Sequence, residues 1–128
     1  RLVFALSGLR SWIEKPWIGQ GFEMHSLLQE LFPNLNHFYP HNFIIESLLL
    51  GGLILGGMIT FLIVLTSSIS IKLLTLSKDD AWITCLWLQG LVYVMLSGHL
   101  GNVPLFWFSS AAVCGRYEAL ISTKATTQ

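Results

Sequence analysis

The sequence predicts an all-α fold, namely a polytopic bundle of helices in a membrane, and the distribution of its charges is the main reason. Of the 128 residues, 53% are hydrophobic and only 11% are charged, whereas ordinary globular chains are about 25% charged. No Asp, Glu, Lys or Arg occurs in 47–71 or in 81–115. Because about 20 apolar residues of helix cross the hydrocarbon core, these two runs predict transmembrane helices.

The first 42 residues differ from the rest, and we expect them to form a loop outside the membrane with short amphipathic helices. Near the start, apolar residues recur at steps of four, three and four, which is typical of one helix face: Leu2, Leu6, Leu9 and Ile13. Pro16 should end this helix, since the residue before a proline avoids helical backbone angles. The remainder, 17–41, shows no sustained periodicity apart from a short helix at about 24–31.

About three membrane spans follow, at 43–71, 81–97 and 105–121. Asn42 should cap the first span, because its side-chain oxygen can accept from a free backbone N–H, and Glu46 lies in the favourable first turn. Gly52 and Gly56 have the G-x-x-x-G spacing that lets two helices approach closely in lipid. The third span contains Arg116, so it is either short or carries an arginine whose head reaches the interface.

Lys and Arg near the span ends predict the side of the membrane on which each loop lies, because cytoplasmic loops carry the excess. The loop 72–80 contains Lys72 and Lys78, whereas 16–42 and the turn 98–104 contain neither residue type. We therefore place 72–80 in the cytoplasm, and residues 1–42 on the outside with the turn. Three basic residues argue against this orientation but lie far from the first span along the chain: Arg1, Arg10 and Lys15.

Composition and spacing also limit the partners to expect. The net charge is zero, which gives no reason to expect nucleic acid. Cys85 and Cys114 lie in apolar runs and are interpreted as small buried hydrophobes. Pro40 separates His37 from His41, which argues against a helical metal pair, and we expect no metal or cofactor. The other ionisable residues of the polar regions are weaker candidates, the two glutamates being typical of a solvated face: Glu23, His25, Glu30 and His99.

Four positions are candidates for chemistry at the outer boundary of the membrane. His41 is either a loop residue beside the Asn42 cap or a base, since the pKa of histidine lies nearest neutrality. Arg1 either contacts a lipid headgroup or binds an anionic substrate group, because the guanidinium fork matches phosphate. Gly19 and Gly21 predict a turn whose backbone approaches a ligand or the neighbouring helix.

These residues, taken in order, resemble a known family. Arg1, Trp12 near the end of a helix, Pro16-x-x-Gly19-x-Gly21-Phe22, His41-Asn42-Phe43 and the glycine-rich span resemble the O-antigen ligase-related family over about residues 1–65. That family includes O-antigen ligases, O-antigen polymerases and pilin glycosylation ligases of bacterial inner membranes. The resemblance implies a multi-pass, all-helical enzyme that transfers a glycan from an undecaprenyl-diphosphate carrier to a glycan or lipid A-core acceptor in the periplasm, without nucleotide or metal.

The resemblance also implies roles for particular residues. Arg1 and His41 occupy the positions of the arginine at the start and the histidine at the end of the family's large periplasmic loop. His41 would be the base that activates the acceptor hydroxyl, and Arg1 would stabilise the departing diphosphate. Gly19, Gly21, Asn42 and Arg10 would contact substrate. Another functional arginine of the family lies upstream, so we expect this chain to be the C-terminal piece of a larger polytopic protein.

Other readings remain open at this point. Within the same class, the chain could belong to a capsule or exopolysaccharide polymerase. From another class, a transporter or channel would use His41 and His99 to line a pathway, and it predicts ionisable groups or broken helices at membrane depth. Here the ionisable groups cluster at the ends of the spans, which disfavours this class. A structural membrane subunit without chemistry is a further alternative.

Overall fold

The computed structural model describes residues 9–10, 12–21, 26, 42–96, 100 and 102–126. Three helices account for most of this part of the chain, and no strand occurs within it: α1 (Phe43–Leu76), α2 (Ala81–Leu96) and α3 (Pro104–Thr126). The predicted all-α class is therefore confirmed. Several candidates lie outside the described residues, namely Arg1, Glu23, His25, Glu30, His37, His41 and His99.

The local signals at the helix ends act as predicted. The Asn42 side-chain oxygen accepts from the N–H groups of Ile44 and Ile45, both at 3.1 Å, which confirms it as the cap of α1. Pro104 opens α3, where its missing N–H costs nothing and its fixed φ suits the first turn. α3 then continues to Thr126, beyond the predicted end at 121.

The first helix is not one continuous span, because its backbone breaks at Gly51 (φ −128°, ψ 17°) and Gly52 (φ 62°, ψ −154°). In a straight helix, residues 8 and 16 positions apart lie about 12 and 24 Å apart. Here a Cβ placed on Gly56 would lie 3.4 Å from the Leu48 Cα, and Phe43 shares a buried cluster with Ile59. The chain therefore reverses at the glycine pair.

We call residues 43–50 the re-entrant helix and residues 53–76 the long half of α1. The re-entrant helix folds back against the long half, so the predicted single span at 43–71 is wrong in its first part. The long half alone measures about 36 Å at 1.5 Å per residue, enough to cross a hydrocarbon core of about 30 Å.

The close helix approach predicted for the G-x-x-x-G spacing is found at Gly56 but not at Gly52. Gly52 forms the reversal itself, whereas Gly56 makes room for Leu48 of the re-entrant helix. A second close approach between helices occurs at Gly90 of α2, where an added Cβ would lie 3.1 Å from the Cα of Phe106 in α3. A glycine on α2 thus has a packing role similar to that of Gly56.

Two buried clusters hold α1, α2 and α3 together as neighbours that alternate in direction. One lies toward the turn between α2 and α3, which we call the outer end after the predicted orientation, and contains Phe43, Ile59, Val94, Val103 and Phe106. The other lies toward the α1–α2 loop and contains Leu73, Ile83, Trp87 and Val113. The rings of Phe43 and Phe106 pack edge to face at a centroid distance of 5.4 Å, so the re-entrant helix begins inside the bundle.

An ion pair closes the opposite end of the bundle. Arg116 Nε donates to Asp80 Oδ2 at 2.9 Å, and the arginine side chain stays 44% exposed. Hydrogen bonds from Ser77 and from Arg116 lower the pKa of Asp80 below its ordinary value. Arg116 thus lies at the polar end of α3 and binds the loop that joins α1 to α2.

Within the described residues, one helix is long and apolar enough to cross a membrane, and it is α1. Only 22% of its most apolar window is buried inside the protein, and large apolar side chains such as Met58 and Phe61 are about two-thirds exposed. α2 has 16 residues, and the uncharged part of α3 ends at Gly115. Spans at α2 and α3 therefore stay predictions.

The orientation can be tested by thiol labelling from the periplasmic side, after replacement of Cys85 and Cys114. We expect a membrane-impermeant maleimide to modify His37→Cys and to leave Lys78→Cys unmodified in intact cells. Permeabilised cells provide the control, because both cysteines should then react. Labelling of Lys78→Cys alone in intact cells would reverse the assignment of sides.

Candidate functional site at the helix reversal

A short segment from the first region lies against the reversal of α1. Residues 12–14 are helical and end before Pro16, as predicted. The turn that follows is held locally, since Trp12 Nε1 donates to the Pro16 carbonyl at 3.0 Å and the Gly19 N–H donates to the Lys15 carbonyl at 2.9 Å. We call residues 16–20 the docked segment.

Two backbone hydrogen bonds join the docked segment to α1. The Gln20 N–H donates to the Leu49 carbonyl at 2.7 Å, and the Leu53 N–H donates to the Pro16 carbonyl at 2.8 Å. A break leaves carbonyls at the end of one helix and N–H groups at the start of the next without helical partners. In an apolar environment each unsatisfied group costs several kcal/mol. The docked segment removes part of this cost, because it binds one carbonyl before the break and one N–H after it.

Gly19 is needed because the two backbones touch. A Cβ on Gly19 would lie 2.5 Å from the Leu49 carbonyl oxygen and 2.6 Å from the Gly52 nitrogen. A Cβ on Gly52 would in turn overlap the backbone of Trp17. Both glycines have positive φ, 67° and 62°. Of the two alternatives predicted for this turn, approach to the neighbouring helix is therefore confirmed for Gly19.

Gly21 differs from Gly19 although both belong to the same G-x-G. Its φ is 63°, but no described atom lies within 4 Å of an added Cβ. Among the described residues, a glycine is favoured there by backbone conformation alone. Contact of Gly19 or Gly21 with a substrate stays a prediction.

Glu46 is the residue whose role the sequence patterns missed. Its first-turn position is as expected, but its side chain is 0% exposed, and its Oε2 accepts from the Leu100 N–H at 3.0 Å. That N–H lies in the turn between α2 and α3, so the bond joins two distant parts of the chain. A carboxylate beside an uncharged run was the available signal, because ionisable groups at membrane depth usually have a function.

The other predicted site residues do not all lie at the reversal. Asn42 lies at the start of the re-entrant helix, where it is occupied with capping. Arg10 is exposed and has no ion-pair partner within the described part of the chain. Arg1 and His41 lie outside the described residues. Among the described residues, no group of three or more His, Cys, Asp or Glu could hold a metal ion.

A cavity of about 320 Å³ lies beside the same outer turn. It lies between α2 and α3, and its lining is Tyr93, Asn102, Val103, Pro104 and Leu105. Tyr93 is half exposed, and Tyr93 and Asn102 are the polar residues of the lining. The outer end thus combines a reversal, a buried carboxylate and a cavity.

Comparison with known proteins does not assign this site. No protein family, curated protein or solved structure matches the chain. A function must therefore be argued from the residues themselves and from their geometry.

Proposed function

We propose that this chain belongs to a membrane glycan transferase, which moves a glycan from an undecaprenyl-diphosphate carrier to an acceptor hydroxyl as an O-antigen ligase or polymerase does. The observation that carries the proposal is the contact between Gly19 and Gly52. The resemblance rests on two separate parts of the sequence, Pro16–Gly21 and the glycine-rich start of the first span. These two parts meet at one place, as expected if they serve one site.

Such a transfer forms one bond at the anomeric carbon of the glycan and breaks another. The oxygen of the acceptor hydroxyl attacks the anomeric carbon, and the bond from that carbon to the phosphate oxygen breaks. The hydroxyl proton passes to a base within hydrogen-bond reach, a role we assign to His41. Undecaprenyl diphosphate leaves with its negative charge, which Arg1 stabilises as a bidentate donor.

The depth of the site suits a lipid-linked substrate. The long half of α1 is long enough to cross the hydrocarbon core by itself, so the reversal at its outer end lies near the headgroups, where a carrier diphosphate is held. Trp17 is 68% exposed on the docked segment, and tryptophan favours this interface. The proposed setting is a bacterial inner membrane with residues 1–42 in the periplasm, and the partners are the lipid-linked donor, a glycan or lipid A-core acceptor and the bilayer.

Replacing Arg1 tests the proposal in the full-length protein. We expect Arg1→Lys to lower transfer roughly 10- to 100-fold although the charge is kept, because a charge-assisted hydrogen bond is worth about 1.5–3 kcal/mol. The measurement is glycan transfer in isolated membranes, normalised to protein abundance. Arg10→Lys is the matched comparison and should lose less, since Arg10 makes no ion pair in the described structure. Wild-type transfer by Arg1→Lys would remove Arg1 from the diphosphate role.

A transporter is the second candidate, and one observation favours it. The sequence predicted one continuous first span, whereas α1 breaks at Gly51 and Gly52. Discontinuous helices form many substrate sites in secondary transporters.

Reconstitution in liposomes separates the two candidates. Labelled donor and acceptor are added on one side, and both product and lumenal label are measured. Label joined to the acceptor without lumenal accumulation supports the transferase, and accumulation without product supports the transporter. Supplying a growing polysaccharide or lipid A-core as acceptor then separates a capsule or O-antigen polymerase from a ligase. A structural subunit would give neither signal.

A further inference from the structure

The turn between α2 and α3 is held in place by a side chain of α1. Glu46 belongs to the re-entrant helix, and its Oε2 accepts the Leu100 N–H at 3.0 Å. Leu100 lies just before the residues that line one wall of the outer cavity, Asn102 to Leu105. The position of that wall therefore depends on the position of the re-entrant helix.

The re-entrant helix is itself fixed at both ends. At its start, Phe43 is fully buried against Phe106. At its end, the Leu49 carbonyl accepts from Gln20 in the docked segment. Glu46 lies between these two anchors and shares full burial with Ser47. A carboxylate held this firmly presents its acceptor oxygen at a fixed point, which is what a positioning group requires.

Complete burial also decides what Glu46 does not do. A side chain that is 0% exposed cannot touch a substrate in this conformation, so Glu46 is not the base of the transfer. It can act through the turn that it holds. The cavity beside that turn offers a tyrosine ring and an asparagine amide, a combination that suits a sugar, whose C–H face packs on an aromatic ring while its hydroxyls bind an amide.

We propose that Glu46 is a positioning residue, which holds the α2–α3 turn through the Leu100 N–H and thereby shapes a sugar-binding cavity at Tyr93, Asn102 and Leu105. The identity of the ligand rests on the proposed glycan transfer. The link between Glu46 and the turn does not, because it is a hydrogen bond between described residues. An experiment can therefore refute the sugar as ligand without refuting the link between Glu46 and the turn.

The first experiment measures the link without any substrate. Val103 is 2% exposed, so Val103→Cys, in a background without Cys85 and Cys114, should react slowly with a periplasmic maleimide. Adding Glu46→Asp, whose shorter side chain cannot reach Leu100, should raise the labelling rate roughly 5- to 10-fold, the effect of losing one hydrogen bond on local opening. Glu46→Gln keeps an acceptor oxygen and should label as slowly as the parent. Glu118→Gln, at an exposed position of α3, is the matched control.

Unchanged labelling in Glu46→Asp would overturn the link, and an equal rise in Glu46→Gln would overturn the hydrogen bond as its cause. The second experiment measures transfer kinetics in the full-length protein. We expect Glu46→Asp to raise KM for the sugar substrate with little change in kcat, and Glu46→Gln to restore KM. A loss confined to kcat would overturn the cavity as the sugar site. A parent protein that transfers nothing, while the labelling pattern holds, would refute the proposed function and leave the link standing.

Discussion

Replacing Gly52 by alanine is expected to remove most of the folded protein, whereas replacing Gly57 by alanine is expected to preserve it. Gly52 has a φ of 62°, and an added Cβ would overlap the backbone of Trp17. A non-glycine residue held in such a conformation costs about 1–3 kcal/mol, and overpacking typically adds about 1–3 kcal/mol. Gly57 lies in the helical long half with no described atom within 4 Å of an added Cβ, so alanine there should stabilise by about 0.5–1 kcal/mol.

The two glycines of the G-x-G extend this comparison. Gly19→Ala combines a positive φ with close backbone contacts, so its loss should match that of Gly52→Ala. Gly21→Ala has the positive φ without the contacts and should fall between Gly52→Ala and Gly57→Ala. The measurement is the abundance and melting temperature of detergent-extracted protein. If α1 ran straight through the glycine pair, Gly52→Ala would stabilise the protein as Gly57→Ala does, so the sign of the effect decides whether the reversal exists.

The parts of the fold that local rules determine could be predicted from the sequence. Asn42 precedes an apolar run and has the side chain that caps a helix, and the structure places two N–H groups on its oxygen. Pro16 ends the preceding helix for an equally local reason, the restriction on the residue before a proline. The uncharged runs gave the approximate bounds of α2 and α3. In each case the decisive interaction lies within a few residues along the chain.

The reversal could not be predicted, because the same glycines are compatible with two structures. A pair of glycines in an apolar run permits either a close helix contact or a break, and the choice depends on whether another segment can satisfy the freed backbone groups. That segment lies near Pro16 and Gln20, far upstream in the chain. The spacing of residues within α1 therefore does not indicate that this segment will bind there.

The same physical reason explains why Glu46 was underestimated. Its first-turn position is visible in the sequence, but its partner, Leu100, is 54 residues away. The candidate base, His41, rests on the chemistry of histidine and on the family resemblance, and it lies outside the described residues. Its role therefore has to be decided by function.

Replacing His41 by alanine is expected to lower transfer by about 10²–10⁴-fold, the usual cost of losing a general base. The imidazole must be neutral to accept the hydroxyl proton, so transfer by the wild type should also fall as the pH drops through its pKa. His41→Gln should be as inactive as His41→Ala, since an amide can form hydrogen bonds but cannot take up the proton. Transfer is measured in membranes containing the full-length protein and is normalised to its abundance.

The neighbouring residue provides the control for a structural effect. Asn42 caps α1, so Asn42→Ala should cost about 1 kcal/mol of stability and lower the abundance of the protein. A loop histidine that merely supported this cap would behave in the same way, and His41→Gln would then be tolerated. Near-wild-type transfer per molecule by both His41→Gln and His41→Ala would falsify the assignment of His41 as the base, because proton transfer to another group would then account for the chemistry.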